Sequence, residues 1–150
     1  MGRVFLYDTT LRDGSQQRGI SPTVDEKLKI TALLDSFGIP YIEGGWPGAN
    51  PKDSEYFRRA KSLTLQQAKI TAFGSTRRAK GTVEEDRNLT ALLNAETPVV
   101  TLVGKSSSLH VKHVIETTLE ENLLMIEQSV SYMKAHGREV IFDAEHFFDG

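Results

Sequence analysis

The chain contains no cysteine. That excludes a disulfide framework, thiolate metal sites, cysteine nucleophiles and iron–sulfur ligation together. Nor is there an excess of positive charge: 18 Lys and Arg stand against 20 Asp and Glu, for a net charge of -2. A basic footprint for nucleic acid or an anionic membrane is therefore not expected. Apolar runs are short, so no segment spans a bilayer. The first ten residues, MGRVFLYDTT, hold no apolar signal-peptide core and no small-residue cleavage site. Leu6 occupies the position where N-myristoylation needs Ser or Thr. Low-complexity stretches and linkers are missing as well. What remains, 150 residues at 39% hydrophobic and 25% charged, has the composition of one globular, cytoplasmic domain.

Short apolar runs alternate with amphipathic stretches. Val4-Phe5-Leu6-Tyr7 reads as a strand buried on both faces. After the loop from Gly14 to Gly19, Thr23 and Glu26 stand at capping-box spacing. Leu28, Leu33, Leu34 and Phe37 then follow a helical period, and Gly38 ends it. Tyr41-Ile42 opens a second strand that stops at Gly44-Gly45. Asn50-Pro51 predicts a helix start, with the helix running to about Leu63. Lys69 to Gly74 is a third strand. Thr82 and Glu85 predict another capped helix, buried through Leu89, Leu92 and Leu93. Pro98 to Val103 is a fourth strand. A long helix is expected from about Val111 to His136, with Leu119, Leu123, Ile126, Val130 and Met133 inward and Gly137 as its stop. Glu139 to Phe142 is a fifth strand.

This βαβαβαβαβ order implies a parallel sheet with right-handed crossovers. Two closures fit. A doubly wound sheet of five strands is complete at this length. A (β/α)₈ barrel takes about 250 residues. The last residues, Phe147 to Gly150, follow a strand with no closing helix, which suits part of a barrel better.

In both architectures function gathers where the strands end. Asp8, Arg12, Asp13 and Gln16 follow the first strand, and Glu43, Trp46 and Asn50 the second. Ser75 to Arg78 follow the third, Lys105 to His110 the fourth, and Asp143, Glu145 and His146 the fifth. Arg12 beside Asp13 sets a fixed cation next to a hard oxygen ligand, which suits a metal-chelated oxo acid. The plain alternative is a solvated loop ion pair. Arg77, Arg78 and Lys80 read as solvated surface ahead of a phosphate contact, Trp46 as core ahead of a pocket wall or barrel plug, and His110 with His113 lacks a third zinc ligand.

The run Asp8-Thr9-Thr10-Leu11-Arg12-Asp13-Gly14-x-Gln16, then ten residues and Lys27, resembles the first signature of the 2-isopropylmalate, homocitrate and citramalate synthase family. The resemblance continues through residues 41–53, 73–78 and 142–150, where it is closest to the citramalate-synthase branch. It implies the N-terminal part, about five βα units, of a (β/α)₈ TIM barrel of the DRE-TIM superfamily. On this reading residues 1–150 are the N-terminal portion of the catalytic barrel, without the C-terminal half-barrel or a regulatory domain.

The activity implied is condensation of acetyl-CoA with a 2-oxo acid, pyruvate giving (R)-citramalate, in branched-chain amino-acid biosynthesis. The cofactor implied is a divalent metal, Mg²⁺ or Mn²⁺ with Zn²⁺ as a further candidate, and a homodimer is the implied assembly. By the motif match Asp13 is the metal ligand, and Arg12 stabilises the oxygen that gains charge on the ketone. Gln16 and Glu43 belong to the substrate pocket, with Glu43 alternatively paired to Arg12. Glu145 is a candidate for proton transfer, and His110 for hydrogen bonds to substrate oxygens. Each has a bland counterpart: a loop hydrogen bond for Gln16, a strand-end carboxylate for Glu43, a structural ion pair for Glu145, a solvated ring for His110.

One departure is large. The family's His-x-His metal ligands occur nowhere in these residues. Other functions stay open: a 2-isopropylmalate or homocitrate synthase, a 3-hydroxyacyl-CoA lyase of the same superfamily, and an isolated half-barrel with no activity of its own.

A half-barrel leaves strand edges and apolar helix faces uncovered. The 150-residue chain by itself is therefore expected to self-associate or to melt at low temperature. Sedimentation velocity and a thermal melt check this; a monomer with a cooperative, high-temperature transition contradicts it.

Overall fold

A computed structural model describes residues 4–150. The start Met1-Gly2-Arg3, read above as part of a segment without a leader signature, lies outside the described residues. Five parallel strands form one sheet in sequence order: β1 (Tyr7–Asp8), β2 (Tyr41–Gly45), β3 (Lys69–Ser75), β4 (Val99–Lys105) and β5 (Glu139–Glu145). Between them run α1 (Val24–Phe37), α2 (Pro51–Ala60), α3 (Arg87–Asn94), and the pair α4 (Ser108–His113) and α5 (Leu119–Ala135).

The order 1-2-3-4-5 decides between the two closures. A doubly wound sheet reverses its order at a switch point, whereas here each strand pairs with its sequence neighbour. The sheet also curls strongly. Tyr41 on β2 donates to Glu139 on β5 at 2.6 Å, and Tyr7 on β1 meets Thr101 on β4 at 2.7 Å, each across a concave interior. The chain is half of a TIM-type barrel.

Strand alternation sorts the two faces. Ile42, Ile70, Ala72, Val100 and Leu102 point outward and form the core with Tyr56, Phe57, Leu89, Leu92 and Met133 of the helices. Glu43, Thr71 and Thr101 point inward and are buried polar groups. Gly44 belongs to the outer face, where a Cβ would stand 2.4 Å from the Tyr56 ring. Its absence lets α2 close on the sheet.

Several local expectations hold. Thr23 and Glu26 form a reciprocal capping box on α1, and Gly38 ends that helix at φ 94°. Asn50 caps α2 by accepting from the Asp53 amide, with Pro51 in its first turn.

Other expectations are overturned. The first strand is Tyr7–Asp8, not Val4–Tyr7; Val4 is 89% and Leu6 63% exposed. Among the described residues β1 pairs on one side alone, with β2, which leaves Val4 and Leu6 exposed while Phe5 meets the Tyr41 ring edge-on. Helix α2 stops at Ala60 rather than near Leu63. Helix α3 starts at Arg87, capped by Asp86, which accepts from the Asn88 and Leu89 amides. Thr82 and Glu85 do not cap it: the Thr82 hydroxyl donates to the Glu85 carboxylate at 3.3 Å, ahead of the helix start.

The long helix expected from Val111 to His136 is broken in two. Val114, Ile115, Thr117 and Thr118 are β-branched and disfavour helix. Glu116 adopts φ 49°, and Thr118 starts α5 afresh by accepting from the Glu121 amide. The buried face of α5 is Asn122, Met125, Ser129 and Met133, while Leu119 and Leu123 are exposed. Asn122 donates to the Lys105 carbonyl and the Ser129 hydroxyl accepts from the Arg77 amide. These polar anchors set the rotation of α5.

At the opposite end of the strands, Asp35 closes the turn into β3. Its carboxylate accepts from the backbone amides of Gln66 (2.7 Å), Gln67 (3.0 Å) and Ala68 (2.7 Å). These bonds hold its pKa below the ordinary carboxylate value. The stabilisation is present above the unfolded-state pKa and is lost as pH falls through the lower folded-state value. Asp35→Asn is expected to cost about 1–3 kcal/mol at neutral pH. Urea melts at pH 7 and in the acid range check it: the gap between wild type and variant narrows on acidification.

Candidate active site at the strand ends

Beyond the C-terminal ends of β1 to β5 lies a cavity of about 510 Å³. Arg12, Trp46, Phe73, Lys105 and Glu145 are among its walls. The Arg12 cation is held from several sides. Arg12 Nε donates to Oε1 of Glu43, and its guanidinium carbon lies 3.9 Å from the centroid of the Phe73 ring. Asp13 Oδ1 is 3.4 Å from Arg12 Nη1. Arg12 keeps 17% side-chain exposure against 2% for Glu43, so the pair is a buried carboxylate with a cation at the cavity floor.

Glu43 also accepts a hydrogen bond from Tyr7 through its second oxygen, Oε2. The Tyr7 oxygen is in turn 2.7 Å from the Thr101 hydroxyl, which is 2.9 Å from that of Thr71. Burial raises the Glu43 pKa above the usual range; the Tyr7 and Arg12 hydrogen bonds and the Arg12 charge oppose it, and Asp143 adds to it. Burial and the neighbouring carboxylate push the Tyr7 phenol far above its ordinary value. Tyr7 therefore stays protonated and donates.

The wall that carries Trp46 is set by a second network. Lys27, buried beneath the loop after β2, donates to Asp53 Oδ1 at 2.6 Å. Asp53 Oδ2 accepts from the Trp46 amide at 3.0 Å. At Gly45, φ is 146° and a Cβ would stand 2.6 Å from the Asp53 carboxyl carbon, so only glycine admits this contact. The Trp46 indole donates to Asn88 at 2.7 Å and meets the Phe73 ring edge-on. Trp46, expected in the core, is half-buried and walls the cavity. The Lys27 of the sequence signature thus sets the loop that carries Trp46.

The remaining predicted residues divide. Glu145 reaches the cavity and is ion-paired with Lys105. Asp13 is exposed, with 62% of its side chain in solvent. Gln16 lies in the 3₁₀ turn Gly14–Gln16, outside the cavity lining. His110 on α4 sits outside it too, its ring 4.2 Å from that of His146. His146 does not continue β5: it turns to φ 56°. Arg77 is not solvated surface. It is buried, donating to Gln128, to Glu121 and to the Arg78 carbonyl, each within 2.9 Å. Tyr7, Phe73 and Asn122 were not singled out as site residues; their one signal was strand alternation for the first two, and none for Asn122.

The residues do not make a metal site by themselves. Among the described residues no group of three or more His, Asp or Glu could hold a metal ion. Asp13 supplies one carboxylate where hard divalent cations take about six oxygen ligands or more. No helix is long and apolar enough to cross a membrane among the described residues.

The fold is half of a TIM-type barrel with an Arg-Asp pair after its first strand, and comparison with known proteins gives its family. The HMGL-like family profile matches residues 3–149, and the chain belongs to that family. It is 58% identical over 148 residues to the (R)-citramalate synthase of Aquifex aeolicus, covering 99% of this chain and 28% of that protein. It is 55% identical over 150 residues to the (R)-citramalate synthase of Geobacter sulfurreducens, covering 100% of this chain and again 28% of that protein. A homocitrate synthase of Methanopyrus kandleri is 37% identical over 142 residues, 95% of this chain and 34% of that protein. The chain thus spans less than a third of the length of the citramalate synthases it matches. Among solved structures, the HMG-CoA lyase of Bacillus subtilis superposes with a TM-score of 0.67 at 17% identity, over 93% of this chain and 45% of that one. That likeness concerns the fold.

The buried Arg77 network predicts a structural cost. Arg77→Ala removes the guanidinium bonds to Gln128 and the Arg78 carbonyl and leaves Glu121 with the Lys80 amide, and is expected to lower the urea midpoint. A urea melt of the variant checks it; an unchanged midpoint contradicts it.

Proposed function

We propose that this chain is the N-terminal portion of the catalytic barrel of an acyltransferase that condenses acetyl-CoA with pyruvate, giving (R)-citramalate and free CoA. One observation carries the reading: the Arg12 guanidinium, clamped by Glu43 and Phe73, faces a cavity of small-molecule size at the strand ends. The relatives support the choice of substrate. Those named citramalate synthases are 51–58% identical, those named 2-isopropylmalate or homocitrate synthases 31–37%.

In the reaction, a proton leaves the acetyl methyl group, the resulting carbon attacks the ketone carbon, and the ketone oxygen takes up negative charge. Water then cleaves the thioester and releases CoA. On this reading Arg12 stabilises that oxygen: the Glu43 contact uses Nε, and Nη1 lies 3.4 Å from Asp13 Oδ1. Glu145, at the end of β5, is the proton-transfer group on this reading, held by Lys105. Glu43, with both oxygens engaged, orients Arg12 rather than contacting substrate. Gln16 and His110 stand outside the cavity lining and are given no chemical step. The divalent metal of the resemblance requires donors besides Asp13, and none completes the set among the described residues.

The test is release of CoA thiol from acetyl-CoA by the protein that carries this chain at its natural length. It is run with Mg²⁺ or Mn²⁺ and with pyruvate, 2-oxoisovalerate or 2-oxoglutarate. Pyruvate-dependent release is expected, with Arg12→Ala lowering it by about 10²-fold or more. Release with 2-oxoisovalerate or 2-oxoglutarate instead reassigns the substrate, and no release with any of the three rejects the synthase reading.

A further inference from the structure

We propose that Tyr7 is a positioning residue for Arg12, acting through Glu43: its hydroxyl occupies one carboxylate oxygen so that the other is presented to Arg12 Nε. This rests on the role given to Arg12 above and adds a residue that touches neither substrate nor cavity.

The geometry leads there from three directions. The Tyr7 hydroxyl and Arg12 Nε divide the two oxygens of Glu43 between them, Oε2 and Oε1. A carboxylate with 2% side-chain exposure is closed to bulk water, so each donor helps decide where the other bond points. The tyrosine is itself located by three neighbouring strands. Its ring stacks on Tyr41 of β2 at 6.5 Å, and its oxygen sits on the Thr101 hydroxyl of β4, itself bonded to Thr71 of β3. The position of Arg12 over Phe73 is therefore referred to the barrel interior, while Arg12 lies in a loop that β1 alone would leave loosely placed. Phenylalanine at position 7 would fill the same space and lack the donor. The hydroxyl, not the ring, is what the argument requires.

The chain of contacts makes a specific prediction for Tyr7→Phe, made in the natural-length protein. If the hydroxyl sets Arg12, the variant still folds, with a melting temperature lowered by the buried Glu43 oxygen that loses its donor. Its crystal structure shows the guanidinium moved from the Phe73 face or split between positions. Turnover of pyruvate and acetyl-CoA falls by about tenfold in kcat, with the pyruvate KM changed less than twofold, because Arg12 acts on charge that develops in the transition state. In an Arg12→Lys background the added Tyr7→Phe change costs little further, since residues acting through one another are non-additive. A purely structural tyrosine gives the opposite: Arg12 unmoved, and losses that multiply. Either of those results overturns the proposal. The crystallographic comparison needs no activity, so it decides the positioning role even where the turnover assay rejects the synthase reading.

Discussion

A carboxylate sealed inside a protein must be given donors for both oxygens, and Glu43 meets that demand in a way that organises the molecule. One donor, Tyr7, comes from the first strand and the other, Arg12, from the loop that follows it. Bringing them together requires β1 to lie beside β2, and bringing Tyr7 to Thr101 requires the sheet to curl until its first and fourth strands face each other. The curvature of the half-barrel and the placement of the cation at its mouth are thus satisfied by one set of hydrogen bonds. The cost of burying the charge is visible in the raised pKa of Glu43.

Around that centre the two faces of the sheet do separate work. The outer face packs apolar residues against the helices and supplies the hydrophobic stabilisation. The inner face is polar, with Glu43, Thr71 and Thr101 buried on it. A second buried ion pair, Lys27 with Asp53, performs for the loop after β2 what Glu43 performs for the loop after β1. Trp46 and Arg12 both pack on the Phe73 ring, one edge-on to it and one over its face. Both signature cations, Arg12 and Lys27, are held by carboxylates on the β2 segment and the helix after it.

Much of the order of elements was legible in the residues. Thr23-x-x-Glu26, Gly38 and Asn50-Pro51 are short-range signals whose physics is local, and the structure places caps at each. The misread elements failed for the same kind of reason in reverse. The apolar stripe of Leu119 and Leu123 satisfied a helical period, yet Asn122 and Ser129 face inward because the Lys105 carbonyl and the Arg77 amide need partners. Thr82 and Glu85 had capping-box spacing, but Asp86 wins the helix start because it caps two amides and also holds the Arg78 amide. Arg77 looked like one of three surface cations until Glu121 and Gln128, more than forty residues away, closed around it.

By itself, the sequence determined the alternation of strands and helices, the absence of thiol chemistry, and the Arg12-Asp13 motif at the end of the first strand. These follow from composition, periodicity and spacing, which are properties of neighbouring residues. The tertiary structure alone decided that the sheet curls in sequence order and that Glu43 is shared by Tyr7 and Arg12. It also decided that Trp46 walls the cavity while His110 stands outside it. Those facts depend on which groups meet across the barrel interior, and no local pattern encodes a contact between strands 36 or 94 residues apart.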